Sequence, residues 1–145
     1  MRCNWLAAFF CLAVSARAAG DNADLEAVRA VCGKCHTTAV FEGKPQAWDR
    51  WNDVFADMTQ RGATGTNEQL SRVTRYFLGN LTLVNINTNT SEAEEIAGIL
   101  GVSDEVAAVI IERRRKQRLT SLADLRAIAG VDAAKLQQRK SRISF

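Results

Sequence analysis

The 145-residue chain has one histidine, one proline, one tyrosine and two methionines. It has no apolar stretch near the roughly 20 residues that a membrane-spanning helix needs, and no Gly/Ser or Pro tract. Each scarcity excludes something. With His36 as the only imidazole, iron held by two histidines is impossible. A structural zinc site needs four ligands, and no second ligand cluster exists to complete one. A thioredoxin-like thiol pair requires a strand-helix-strand setting, which the pattern does not offer. Without a flexible tether, any two modules of this chain should pack together.

Charge of one sign is also scarce. Setting aside Arg2 and Arg17, 17 of the 19 basic residues remain against 16 acidic ones. A balance so close is not a general nucleic-acid-binding composition. It suits a soluble protein that meets partners through local patches.

Arg2, the apolar run from Leu6 to Ala16 and the small-x-small sequence Ala16-Arg17-Ala18 have the form of a cleavable export signal. Cleavage is expected after Ala18, giving a periplasmic protein. Cys11 follows Phe9-Phe10 rather than small residues, which speaks against a lipid anchor. Cys3 and Cys11 leave with the signal, so Cys32 and Cys35 are the thiols that remain.

Those two thiols lie in Cys32-Gly33-Lys34-Cys35-His36. A disulfide at this spacing would close a tiny loop and constrain little of the unfolded chain. With a histidine directly after it, the pair reads as a covalent attachment site for one haem c, with His36 as the proximal iron ligand. The sixth ligand is then open. Met58 is the only methionine beyond the signal, and thioether is the usual partner of histidine in electron-carrying cytochromes. Filling core on an apolar helix face is its other role, and a lysine ligand or an open five-coordinate iron are further alternatives. Trp48 and Trp51 suit either haem packing and propionate contact or ordinary core packing. Lys34 and Arg61 suit either propionate pairing or solvated surface.

Periodicity divides the chain beyond the signal into two all-helical modules, residues 19–83 and 84–145. In the first, Leu25, Val28 and Val31 lead into the thiol motif. Pro45 is expected at a helix start. Trp48, Trp51, Val54, Phe55 and Met58 form one apolar face, Gly62 and Gly65 end that helix, and Thr66 with Gln69 opens another. The join, residues 81–90, is β-branched and Asn-rich and is expected to be extended. In the second module Ser91 with Glu94, Ser103, Ser121 with Asp124, and Asp132 mark four helix starts, the last helix running toward Ser141. A helix, a Gly-Val hairpin and a second helix thus occur twice. About 65 residues make a thin core, so the first module should fold poorly without its haem.

On Cys32-Gly33-Lys34-Cys35-His36 the first module resembles a small single-haem class I cytochrome c. The stretch from Trp51 to Ala63, read as Trp-x-x-x-Val/Phe-x-x-Met-x-x-x-Gly-Ala, places it near one subgroup. The resemblance implies a compact helical fold around one haem and an electron-transfer role. Val84-Asn85-Ile86-Asn87-Thr88, Leu100-Gly101-Val102, Ile110 to Arg113, Ser121 to Leu125 and Ala129-Gly130-Val131 resemble the paired helix-hairpin-helix domain of bacterial competence DNA-uptake proteins. In that family, hairpin amides at a helix start hold a DNA phosphate.

This chain departs from the family at those hairpins. Ser103-Asp104-Glu105 and Asp132 follow the two Gly-Val pairs, where carboxylates favour capping the helix themselves and repelling phosphate. The basic run Arg113, Arg114, Arg115, Lys116 and Arg118 sits at a helix C-terminus, which the helix dipole also prefers. The expected function is a periplasmic electron carrier and not an enzyme. It would exchange single electrons with a redox protein such as a dehydrogenase or oxidase, the second module docking a partner. The alternatives are a DNA-binding or DNA-uptake accessory using the basic run, and a haem enzyme or gas sensor with an open iron.

Overall fold

The computed structural model describes residues 19–145, with side chains from residue 23 onward; the expected signal lies outside the described residues. Among the described residues seven α-helices carry the fold: α1 (Ala19–Cys32), α2 (Trp48–Gln60), α3 (Asn67–Asn80), α4 (Ala93–Leu100), α5 (Asp104–Lys116), α6 (Leu122–Arg126) and α7 (Ala133–Gln138). Two short strands, β1 (Ile86–Asn87) and β2 (Ile143–Ser144), pair in parallel with Ile86 opposite Ile143. None of the described helices is long and apolar enough to cross a membrane.

Local signals set most of the helix starts. Thr66 accepts from the Gln69 amide while Gln69 reaches back to Thr66, a complete capping box. Ser121 and Asp124 repeat the arrangement, Ser103 caps α5 and Asp132 caps α7. Each satisfies amides that have no partner within the helix. Two expected starts shift. The box on α4 is made by Glu92 and Glu95 rather than Ser91 and Glu94, because the Ser91 hydroxyl is taken by the Asn87 amide at 3.2 Å. Pro45 lies ahead of the α2 N-cap, Ala47. Its neighbour Gln46 is held extended against the chain that leaves α3, donating to Leu81 O at 3.0 Å and accepting from Leu83 N at 3.3 Å.

Two apolar cores form. The first is aromatic: Phe41, Trp51 and Phe77 meet with ring centroids 4.8–6.5 Å apart, backed by Val28, Val31 and Val73. The second is aliphatic, built from Ile86, Ile96, Ile99, Leu100, Ile110, Leu119, Leu125 and Leu136. Fully burying a side chain of this size contributes about 1.5–3 kcal/mol, so eight of them supply the main drive for that half to fold.

Helix α3 joins the cores. One face packs antiparallel on α1, with Asp24 beside Arg75 near one end and Val31 against Gly65 near the other. Another face meets α4 so closely that a Cβ on Gly98 would lie 2.4 Å from Leu78 Cβ, and one on Gly79 would lie 2.7 Å from Gly98 O. The carbonyls left at the end of α3 are taken by the chain terminus. Arg142 donates to Leu78 O, Gly79 O and Val84 O at 2.9–3.0 Å and to Thr82 Oγ1 at 2.9 Å. Burial, with Arg139 nearby, lowers the Arg142 pKa from its ordinary value. The last helix is expected to run toward Ser141, but it stops at Gln138 and the chain turns to make these bonds and pair β2 with β1.

Gly98→Ala should cost about 1–3 kcal/mol, because neither backbone can retreat without opening a core. Arg142→Met should cost about 2–3 kcal/mol through carbonyls left without donors. Denaturant unfolding of each variant checks both; losses below about 0.5 kcal/mol would show that the α3–α4 junction does not bear on stability.

Candidate functional sites

The thiol motif forms where α1 ends. Gly33 N donates to Arg29 O at 2.9 Å and Cys35 N to Cys32 O at 3.4 Å, winding the motif into a turn. Only glycine fits its second position, since a Cβ there would stand 2.3 Å from Arg29 O. Cys32 is half-buried and Cys35 exposed, both as free thiols. Burial pushes the Cys32 thiol up from its ordinary pKa. His36 is half-buried, and its Nδ1 lies 3.2 Å from Thr37 O. With Nδ1 as donor there, Nε2 carries the lone pair that a metal would need. Among the described residues no group of three or more His, Cys, Asp or Glu is placed to hold a metal ion. Iron bound here would take its equatorial ligands from a porphyrin, and the donor set of two thiols and one imidazole fits that demand.

Met58 lies in the last turn of α2, half-buried, with its carbonyl accepting from Ala63 N at 2.9 Å. Gly62, at φ +98°, turns the chain back past the motif. There a Cβ on Gly65 would meet Val31 Cγ2 at 2.9 Å, and Lys34 Nζ stands 3.5 Å from Thr64 O. The segment after Met58 therefore adjoins the thiol motif. Trp51 is buried, and its Nε1 donates to Leu81 O at 2.6 Å. That is the packing role, and it leaves no indole N–H for a propionate. Trp48 is half-buried edge-on to Phe55 at 5.8 Å. Arg61 pairs with Asp57 on the surface at 2.8 Å rather than with the motif. Val40 and Val54, on the turn after His36 and on α2, stay 51% and 37% exposed, so this part of the apolar surface is uncovered by protein.

The two hairpins of the second half are closed. Gly101, at φ +63°, ends α4 in the left-handed conformation, and the chain re-enters a helix at Ser103. Ser103 Oγ takes the Val106 amide at 3.4 Å. The Ser103 hydroxyl and the Glu105 backbone amide hold the Glu105 carboxyl below its ordinary pKa. Asp104 accepts from Arg75 Nη1 at 2.8 Å and from Ser71 Oγ at 3.2 Å, so this hairpin docks on α3. In the second hairpin, Asp132 Oδ1 accepts from Ala134 N at 2.7 Å and Lys135 N at 3.1 Å. Side chains of the protein thus hold the amides that a phosphate would use.

Arg75 is the residue that sequence reasoning missed. It donates to both oxygens of the buried Asp24 at 2.9 and 3.1 Å and to Asp104. Burial works against its charge, but the bonds and charges of Asp24 and Asp104 outweigh that, and its pKa is raised. Of the basic run, Arg114 donates to Thr88 O at 3.1 Å and Ser91 O at 2.6 Å, which makes it a structural residue. Arg115 pairs with Glu112 on the surface. Arg113, Lys116 and Arg118 are exposed.

Residues 81–144 match the family model of the helix-hairpin-helix motif. This second part of the chain is a helix-hairpin-helix unit, with two hairpins at residues 101–103 and 130–132. No curated protein and no solved structure matches the chain.

Arg75→Leu should destabilise by about 2–3 kcal/mol, because it removes both hydrogen bonds to the buried Asp24 carboxylate and leaves only the longer Arg72 contact at 3.6 Å. Asp104→Asn neutralises the exposed member of the Arg75–Asp104 pair and should cost under about 1 kcal/mol. Equal effects in urea unfolding would contradict the assignment of Asp24 as the buried partner.

Proposed function

We propose that the protein is an exported c-type cytochrome that carries single electrons, its haem held by the first half of the chain and its helix-hairpin-helix unit serving to meet a partner. The observation that carries this reading is the motif itself: two free thiols and an imidazole on one turn at the end of α1. Cys32 and Cys35 would hold the haem through one thioether each, formed by adding each S–H across a vinyl group, which needs no oxidant. With its Nδ1–H donated to Thr37 O, His36 would offer Nε2 to the iron. Met58, half-buried in the last turn of α2, would be the residue to complete the iron's ligand set, and the exposed Val40 and Val54 would offer the haem apolar surface. When bound, the haem supplies a reversible one-electron iron couple whose potential is tuned by its ligands and burial. The role proposed for that couple is electron transfer.

A second reading assigns the protein to nucleic acid, as a DNA-binding or DNA-uptake accessory. The helix-hairpin-helix match over residues 81–144 favours it, and of the two readings it is the one that the comparison with known families supports. The two are compatible, since they concern different halves of the chain.

Protein produced in a host with cytochrome c maturation should keep its haem through denaturing electrophoresis, and Cys32→Ala with Cys35→Ala should lose it. Colourless wild-type protein would contradict the haem reading. In the ferric wild type, cyanide should bind slowly and incompletely, and Met58→Ala should convert a low-spin spectrum to one that binds cyanide at once. An unchanged spectrum in Met58→Ala would remove Met58 as ligand. For the second reading, duplex DNA should be retarded at about 50 mM salt and released as salt rises, because phosphate contacts exchange with counterions.

A further inference from the structure

The helix-hairpin-helix unit has two charged ends. At the hairpin end, Asp104, Glu105 and Asp132 occupy the helix starts, and one hairpin is covered by Arg75 and Ser71 of α3. Helix α5 begins there and runs 13 residues, about 20 Å at 1.5 Å per residue, to a cluster of cations. In that cluster Arg113, Lys116 and Arg118 are exposed, while Arg115 is partnered by Glu112. Arg114 is withdrawn from the set by its bonds to Thr88 O and Ser91 O. Those same bonds pin the helix end to the loop that precedes α4, so the exposed cations sit on a fixed platform.

Resting on the nucleic-acid reading of this unit, we propose that its phosphate-binding site is this basic end of α5, through Arg113, Lys116 and Arg118, and not the hairpins. The ligand is the sugar-phosphate backbone of duplex DNA. Two features favour it over an acidic protein. Two of the three cations are arginines, whose planar fork matches phosphate oxygens. The one large hydrophobic exposed on α5 is Val109, a turn before Arg113, and a single valine falls short of the aromatic or bulky aliphatic anchor that a protein interface would need. Phosphate contact requires only charge and donors, and it positions without reading sequence.

The test measures fluorescence anisotropy of a labelled 20-base-pair duplex with the full-length protein at about 50 mM salt, with each variant's thermal melt as a folding control. Wild type should bind with a steep salt dependence. The triple variant Arg113→Gln/Lys116→Gln/Arg118→Gln should lose at least about tenfold in affinity, with a log–log salt slope shallower by about 2–3. Asp132→Asn, at the second hairpin, should change affinity by less than twofold. A triple variant that binds like the wild type, or an Asp132→Asn variant several-fold tighter, would move the site to the hairpins and overturn this proposal while sparing the nucleic-acid reading. Wild type that does not bind duplex at all would overturn both. Poly-glutamate binding as tightly as duplex would identify an acidic protein as the partner and overturn the choice of ligand.

Discussion

Leu78 and Gly79 of α3 press on Gly98 of α4 with no room for an added carbon, and the rest of the molecule is arranged around that contact. Helix α3 has the aromatic core on one side and the aliphatic core of the second half on the other. The carbonyls of Leu78 and Gly79 at its end accept from Arg142, near the end of the sequence. Arg75 then fastens α1 to α3 through Asp24, and α3 to α5 through Asp104. Packing without voids transmits strain, so the two halves are mechanically one unit along this seam.

That seam has a functional consequence. In a helix-hairpin-helix unit, the start of the second helix is a natural anion site. Here the first such start faces an arginine of the protein's own α3, and its acidic residue is the ligand rather than the repelled group. The second start is closed by Asp132. The unit's hairpins serve internal purposes, which leaves outward contacts to other surfaces. The thiol motif, at the opposite end of α1 from Asp24, is free of this seam.

Features encoded over a few residues were legible in the sequence. The boxes of Thr66 with Gln69 and Ser121 with Asp124, and the caps Ser103 and Asp132, depend on neighbours three or four positions away. The thiol motif is legible for the same reason, being five consecutive residues. Ser91 misled because its hydroxyl had a competing acceptor role toward Asn87, and Glu92 could cap in its place. The β1–β2 pair joins residues near position 86 to the chain end, and Arg75 finds Asp24 51 positions away. Charge patterning along the chain carries no information about partners so distant. The basic run read as one patch, yet Arg114 faces backbone carbonyls, a distinction set by its rotation about α5 and by the loop folded against it.

The central claim is that Cys32 and Cys35 carry a haem, and intact-mass spectrometry tests it most directly. The full-length chain would be expressed in a host with cytochrome c maturation and treated with a thiol-alkylating reagent under denaturing conditions. The account predicts a mass equal to residues 19–145 plus one haem, with no alkylation. A haem-free mass carrying two alkyl groups, on Cys32 and Cys35, would contradict it.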